Sequence, residues 1–197
     1  MRHAAVLTLL RRHAAYWPDE GELAARFVAF VQQHADCLSR RCVPGHVTAS
    51  AWILSADGER ALLLHHKKLG RWLQLGGHVE DETDLAGSAL REAREESGLL
   101  QFELLGPGGV VAVGGDGVVP LDLDVHEIPA RRDEPAHLHW DVRFLLRALP
   151  DQVLAASAEA NDMRWFTAAE LAQVTDEDSV LRLARKARRW LPSTRVR

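Results

Sequence analysis

The 197-residue sequence predicts an α/β protein in which helices cover a mixed β-sheet. Two observations support this prediction: strand-like segments alternate with helical ones through the middle of the chain, and helical segments lie at both ends. With 47% hydrophobic and 26% charged residues, the chain can bury a substantial core, which excludes wholesale disorder. The length suits one ordinary domain better than two.

The N-terminal segment predicts two helices. The first spans residues 3–17, and the second begins at Pro18, a residue that suits the first turn of a helix. We expect residues 1–45 to form an N-terminal helical extension packed on the body of the protein. The apolar stripe of the second helix consists of Leu23, Phe27, Phe30 and Val31.

Residues 46–170 predict the main domain. One helix is expected over 84–97, ending at Gly98, and residues 69–78 are expected to form a glycine-bounded loop. The strand-like segments lie at 46–55, 61–66, 101–105, 109–113, 119–128, 137–148 and 163–166.

The C-terminal segment, residues 171–197, predicts a helix and a tail. Thr167 is a suitable N-cap for a short helix, and Thr175 for a last helix that ends near Leu191. We expect the basic face of this last helix to be solvated. That face consists of Arg182, Arg185, Lys186, Arg188 and Arg189.

The helix at 84–97 carries three acidic residues on one side. Glu92, Glu95 and Glu96 share an arc of about 100°. Three neighbouring carboxylates repel one another, and a hard divalent cation would neutralise them through its preferred oxygen ligands. A solvated acidic face is the alternative interpretation. Gly76-Gly77, which lets the backbone approach a ligand closely, favours the metal.

The segment GGHVEDETDLAGSALREAREESGLL, residues 76–100, resembles the Nudix box. That motif is a glycine, five residues, a glutamate, seven residues, and Arg-Glu-aliphatic-x-Glu-Glu-x-Gly-aliphatic. Counted from Gly77, the Arg91-Glu92 pair and the residues after it fall in place. One position departs, because Thr83 stands where the motif has its first glutamate. The candidate replacements are Glu82, Glu80 and Asp84.

The resemblance implies an α/β/α sandwich and a pyrophosphohydrolase that acts on a nucleoside diphosphate derivative. It implies Mg²⁺ or Mn²⁺ as cofactor, water activated by that metal, and an Arg91 that orients Glu92, itself a candidate general base. The catalytic residues would be Glu92, Glu95 and Arg91. The metal ligands would be the Gly76 carbonyl, Glu92, Glu95 and Glu96, with Glu159 as an extra ligand outside the box.

Two neighbouring strands carry alternating polar residues. On a strand, His139, Asp141 and Arg143 share one face. We expect this face to line the substrate cleft, with Arg143 on a phosphate; the alternative is the wet face of an antiparallel sheet. Arg71, before the glycines, is a further candidate for phosphate binding. The preceding strand presents Asp122, Asp124 and His126, and a hairpin would bring the two sets together.

Charge and composition restrict the partners. The formal net charge of −4 disfavours nucleic acid, and no apolar run approaches the roughly 20 residues that cross a bilayer. The N-terminus has no signal-peptide pattern, so we expect a cytoplasmic protein. The expected partner is a small nucleotide-type diphosphate, with a homodimer left open. Zinc binding by His34, Cys37, Cys42 and His46 is disfavoured, since their spacing matches no common finger.

Two other functions remain alternatives. The first is a non-catalytic Nudix-fold module that binds a nucleotide and regulates a partner, which Thr83 favours. The second is removal of diphosphate from RNA 5′ ends, for which the basic last helix is the only hint.

Overall fold

The computed structural model describes residues 3–131, 135–155 and 160–191. Its helices are α1 (Ala4–Tyr16), α2 (Gly21–Gln33), α3 (Leu85–Ser97), α4 (Ala168–Val174) and α5 (Asp178–Arg188), with a 3-10 turn at Pro18–Glu20. Its strands are β1 (Gly45–Leu54), β2 (Arg60–His66), β3 (Arg71–Leu73), β4 (Leu75–His78), β5 (Phe102–Gly106), β6 (Gly109–Val111), β7 (Asp122–Ile128), β8 (His137–Ala148) and β9 (Ala160–Thr167). The predicted α/β class with a mixed sheet is confirmed.

The parallel pair β1 and β8 forms the centre of the sheet. Its register runs from Gly45 opposite Leu138 to Leu54 opposite Arg147. Antiparallel neighbours flank both strands: β4 and β2 lie beside β1, and β7 and β5 lie beside β8. Since β4 and β7 pair with the beginnings of β1 and β8, these four strands form one end of the sheet, where the candidate site lies.

Two apolar layers cover the sheet, one on each face. On one face, α1, α2 and α3 pack on alternate residues of the central strands, such as Ala49 and Val142. On the other face, α4 and α5 pack on the intervening residues, such as Trp52 and Leu145. Because successive strand residues point to opposite faces, both faces contribute to the core. The arrangement is an α/β/α sandwich.

The cap residues fix the bounds of α3. The Asp84 side chain accepts a hydrogen bond from the Gly87 N–H at 3.1 Å and caps the N-terminus. Gly98 ends the helix with a φ of 71°, a left-handed conformation that glycine adopts without steric cost. Both ends agree with the sequence prediction to within one residue.

The chain departs from the prediction at two places. Residues 69–78 contain the short strands β3 and β4 instead of a simple loop, because pairing with β2 and β1 satisfies their backbone groups. Helix α5 is preceded by Glu177 as its N-cap residue, while the Thr175 hydroxyl accepts from the Glu177 N–H at 3.2 Å. The helix also ends at Arg188, short of Leu191.

Among the described residues, no helix combines the length and the apolar character needed to span a bilayer.

Candidate active site

The glycine pair in β4 brings the backbone against the acidic side of α3. The Gly76 N–H donates to Glu96 Oε2 at 2.9 Å. A Cβ on Gly77 would lie 2.7 Å from Glu92 Oε2, and a Cβ on Gly76 would lie 2.5 Å from Ser50 Cα. A side chain at Gly76 would clash with the backbone of β1, so this position needs glycine, whereas a side chain at Gly77 would displace the Glu92 carboxylate.

Arg91 connects the acids of α3 to β4. One terminal guanidinium nitrogen donates to Glu92 Oε1 at 2.7 Å and to Glu95 Oε2 at 3.3 Å. The other terminal nitrogen donates to the His78 carbonyl at 2.9 Å. Arg91 thus fixes the orientation of the Glu92 carboxylate, in keeping with the positioning role that the resemblance implies.

The three acids of α3, Glu92, Glu95 and Glu96, are called the box acids below. The surroundings of Glu92 raise the pKa of its carboxyl group. Burial raises the pKa of Glu92 above its usual value, and the carboxylates of Glu95 and Glu80 raise it further, against the lowering effect of Arg91. A bound divalent cation would relieve the repulsion among these carboxylates. The donor chemistry, clustered carboxylate oxygens, therefore fits Mg²⁺ or Mn²⁺.

Thr83 occupies the position of the motif's first glutamate. It is exposed and has no carboxylate that could pair with Arg91. Of the three candidate replacements, Glu82 accepts from the Ser88 hydroxyl at 3.1 Å, and Asp84 caps α3. Glu80 raises the pKa of Arg91 through its charge, although Glu92 acts on that pKa more strongly. Within the described part of the chain, the buried Nε of Arg91 has no hydrogen-bond partner.

A cavity of about 400 Å³ lies next to this site. It is lined by Ser39, Arg40, Arg41, His78, Glu80 and Asp81. Sequence reasoning did not single out Arg40 and Arg41. The only available signal was two adjacent arginines in the loop before β1, where exposed charges are ordinary.

Arg143 lies in a buried ion cluster and does not face an open cleft. Its side chain is 2% exposed, and its guanidinium donates to Asp141 at 2.8 Å, Asp124 at 3.0 Å and Asp122 at 3.3 Å. Asp141 also accepts from the Ser50 hydroxyl at 2.8 Å and is itself buried. The expected substrate-facing role of Arg143 and Asp141 therefore disagrees with the structure, and so does the wet-face alternative.

Helix α5 supplies the cover over this cluster. Arg182 donates to Asp124 at 2.7 Å and to Asp122 at 3.0 Å, and Lys186 donates to Asp122 at 2.8 Å. The expectation of a solvated basic face is therefore wrong for these two residues, which point inward. The buried cations also weaken the hint of RNA binding.

The charge cluster controls the ionisation of Asp124. Burial alone would raise the pKa of Asp124, but the hydrogen bond from His126 and the charges of Arg143 and Arg182 hold it well below its usual value. Asp124 is therefore ionised at neutral pH.

His139 lies in a group of five rings at the end of the sheet, called the histidine cluster: His46, His78, His126, His137 and His139. The ring centroids of His46 and His139 are 4.7 Å apart, and those of His46 and His78 are 4.9 Å apart. Burial, together with the charges of the neighbouring imidazoles, lowers the pKa of His46 to about 4. These rings lie at the same end of the sheet as the box glycines.

The remaining predicted residues are Arg71, Glu159 and the disfavoured zinc set. Arg71 is exposed and forms an ion pair with Glu177. Glu159 falls outside the described residues. The disfavoured zinc set is divided, because Cys42 lies with His34, whereas His46 belongs to the histidine cluster.

The family and structure comparisons agree on the fold. The model of the NUDIX domain matches residues 44–191, beyond the boundary that the sequence suggested at 170. A hydrolase of the NUDIX family from Clostridium perfringens superposes with a TM-score of 0.54 at 20% identity, covering 74% of this chain and 95% of its own. The E. coli dihydroneopterin triphosphate pyrophosphohydrolase gives 0.51 at 18% identity, covering 71% of this chain and 92% of its own.

No curated protein sequence matches the chain. The family model nevertheless covers most of its length and contains the whole box segment. The predicted enzyme class, a Nudix-type pyrophosphohydrolase, is confirmed at the level of the family. The chain belongs to the NUDIX domain family.

Proposed function

We propose that the protein hydrolyses a diphosphate linkage in a nucleoside diphosphate derivative with the help of Mg²⁺ or Mn²⁺. The observation that carries this proposal is the convergence of Glu92 and Glu96 on the glycine pair of β4. Glu96 accepts from the Gly76 N–H, and the Glu92 carboxylate lies against Gly77. Carboxylate oxygens beside a glycine backbone are the hard donors that a divalent cation such as Mg²⁺ prefers.

The proposed metal ligands are the three box acids and the Gly76 carbonyl. When bound, the cation would lower the pKa of a water molecule and screen the charge of the diphosphate. Arg91 holds Glu92 in place through its 2.7 Å hydrogen bond. The carboxylate that Arg91 orients is the proposed acceptor for the proton of the attacking water.

The reaction adds one water across the phosphoanhydride. The water oxygen bonds to one phosphorus, the bridging oxygen leaves with the other phosphorus, and the water protons pass to the site and the solvent. A nucleoside monophosphate and a second phosphorylated product result.

The neighbouring cavity is the proposed place for the substrate. Arg40 and Arg41 bring positive charge to its wall, while Glu80 adjoins the box acids. A diphosphate placed there would contact the cationic side chains, and Glu80 in the same wall lies close enough to Glu92 for its charge to raise the pKa of that residue. This set replaces Arg143 as the proposed source of phosphate contacts.

The decisive experiment compares Glu95→Gln and Glu96→Gln with the wild type. The substrates would be nucleoside diphosphate sugars, ADP-ribose, dinucleoside polyphosphates, NADH and nucleoside triphosphates, with Mg²⁺ or Mn²⁺. We expect divalent-dependent product release that falls by at least about 100-fold in either variant, the scale typical of losing a catalytic electrostatic contact. Glu59→Gln is the matched control, because Glu59 is an exposed glutamate in the connection between β1 and β2, outside the box.

Two outcomes would contradict the proposal. Full activity in both glutamine variants would reject the metal assignment. No release from any substrate, with nucleotide binding retained, would identify a binding module instead of an enzyme.

A further inference from the structure

The histidine cluster and the box acids lie on opposite faces of β4. A Cβ on Gly77 would meet Glu92, which places that face toward α3. Because successive strand residues alternate, the side chain of His78 projects to the other face. There its ring packs against His46, which belongs to β1. The histidines are therefore not ligands of the acid site.

Three strands converge at this point. His46 and His139 are register partners in the parallel β1–β8 pair, and His78 is opposite Thr48, two residues after His46 on the same face of β1. The ring centroids of His78 and His139 are 5.6 Å apart. One ring nitrogen from each of the three histidines lies within 4.8 Å of the other two.

His46 is the innermost of the three rings. The residue is 1% exposed, and neither Nδ1 nor Nε2 has a hydrogen-bond partner among the described residues. Buried polar atoms in proteins are almost always paired, and an imidazole with both nitrogens unpaired is costly. A ligand that accepts the lone pair of one ring nitrogen would remove part of this cost.

We propose that His46, His78 and His139 form a binding site for a divalent transition-metal ion of the zinc class. Imidazole nitrogen suits Zn²⁺, Cu²⁺ and Ni²⁺, whereas Mg²⁺ and Mn²⁺ prefer the oxygen donors of the acid site. On one tetrahedral Zn²⁺, with Zn–N distances of about 2.0–2.1 Å, two nitrogens lie about 3.3 Å apart. The observed spacing requires only small ring movements to reach this geometry.

The remaining two rings support this set from outside. His137 donates from Nδ1 to the Pro135 carbonyl at 2.9 Å, and His126 is hydrogen-bonded through Nδ1 to Asp124 at 3.1 Å. These bonds hold the two outer rings, which pack against His46 and His139 with ring centroids 5.1 Å and 5.4 Å apart. Three histidine ligands leave a fourth position for water or a further donor. The bound ion would hold β1, β4 and β8 together.

The test is a zinc titration of the full chain after chelator treatment. Mg²⁺ at millimolar concentration is present throughout to occupy the box acids. We expect about one equivalent of Zn²⁺, measured by calorimetry or by competition with a chromophoric chelator. His46→Ala and His139→Ala should each raise the Kd by more than about 100-fold, beyond the effect of losing an outer-shell partner. His65→Ala, a histidine outside the cluster, should not.

Two controls separate this site from the other candidates. Cys42→Ser removes a donor from the His34 group, and Glu95→Gln removes one from the acid site; neither should change the zinc affinity. Unchanged affinity in both cluster variants, or loss of binding in Cys42→Ser or Glu95→Gln, overturns the proposal.

A spectroscopic measurement on the unsubstituted chain remains decisive even where a variant fails to fold. Cu²⁺ added to the Mg²⁺-saturated protein should give an electron paramagnetic resonance spectrum with hyperfine coupling to several imidazole nitrogens. A spectrum with oxygen donors alone overturns the proposal.

Discussion

Replacement of Arg143 by methionine tests whether the buried ion cluster is structural. The guanidinium lies within 3.3 Å of three carboxylates, those of Asp122, Asp124 and Asp141. Asp122 and Asp141 are themselves buried, so water cannot replace the lost cation. Methionine fills much of the same volume without a charge and leaves the aspartates with fewer partners.

The expected loss follows from the burial of the pairs. Removing one partner of a buried ion pair typically costs about 3–5 kcal/mol, because the other charge remains uncompensated. Since Arg182 and Lys186 still contact Asp122, we expect the lower end, about 3 kcal/mol. In a chain of this size, 1 kcal/mol shifts the Tm by about 2–4 °C, so the Tm should fall by about 6–12 °C.

Urea denaturation followed by circular dichroism measures this loss directly. Arg147→Met is the matched control on the same strand, because Arg147 is 33% exposed and pairs with a half-buried Glu103. Its loss should cost about 1 kcal/mol or less. If Arg143→Met keeps the wild-type free energy of unfolding while the KM for the substrate rises, Arg143 contacts the substrate and the structural interpretation fails.

Three further predictions concern the box and the ion cluster. Gly77→Ala should lower turnover by at least about 10-fold, because the new Cβ would displace the Glu92 carboxylate; unchanged kinetics would contradict the close approach. Thr83→Glu should raise the Tm by about 2–4 °C if the new carboxylate reaches the unpaired Nε of Arg91, and a thermal melt with no rise would show that it does not. Because the folded-state pKa of Asp124 is lowered, its contribution is fully present above the unfolded pKa of about 3.9 and is lost as pH falls toward the folded value. Urea midpoints measured down this range should fall more steeply for the wild type than for Asp124→Asn, and parallel curves would refute the assignment.

Local patterns in the sequence were sufficient to predict helix α3, which carries the box acids. The terminating Gly98 and the helical spacing of the acids are read from fewer than twenty consecutive residues, whereas the capping role of Asp84 emerged only from the structure. The geometry of the acids follows from the helix alone. The strand β4 was missed because its glycine pair has low strand propensity, and only its pairing with β1 makes it a strand.

The ion cluster could not be predicted in the same way. Alternation on β8 shows that Asp141 and Arg143 share a face, but it contains no information on what covers that face. The cover comes from Arg182 and Lys186 on α5, far along the chain. A basic helix and an acidic strand each look solvated when read separately, because exposed charges are the usual case. Only their packing together shows that the charges compensate one another.

The same limit explains why the histidine cluster was not predicted and why His139 was interpreted as a substrate contact. His78 occupies one of the unspecified positions of the box, and His46 was considered only with the cysteines before it. What unites them is the register of β1 against β4 and β8, a tertiary property. Because Gly77 and His78 are adjacent on one strand, a step of one residue changes the face and with it the donor chemistry. A hard-oxygen site and an imidazole site can then exist side by side without sharing a ligand.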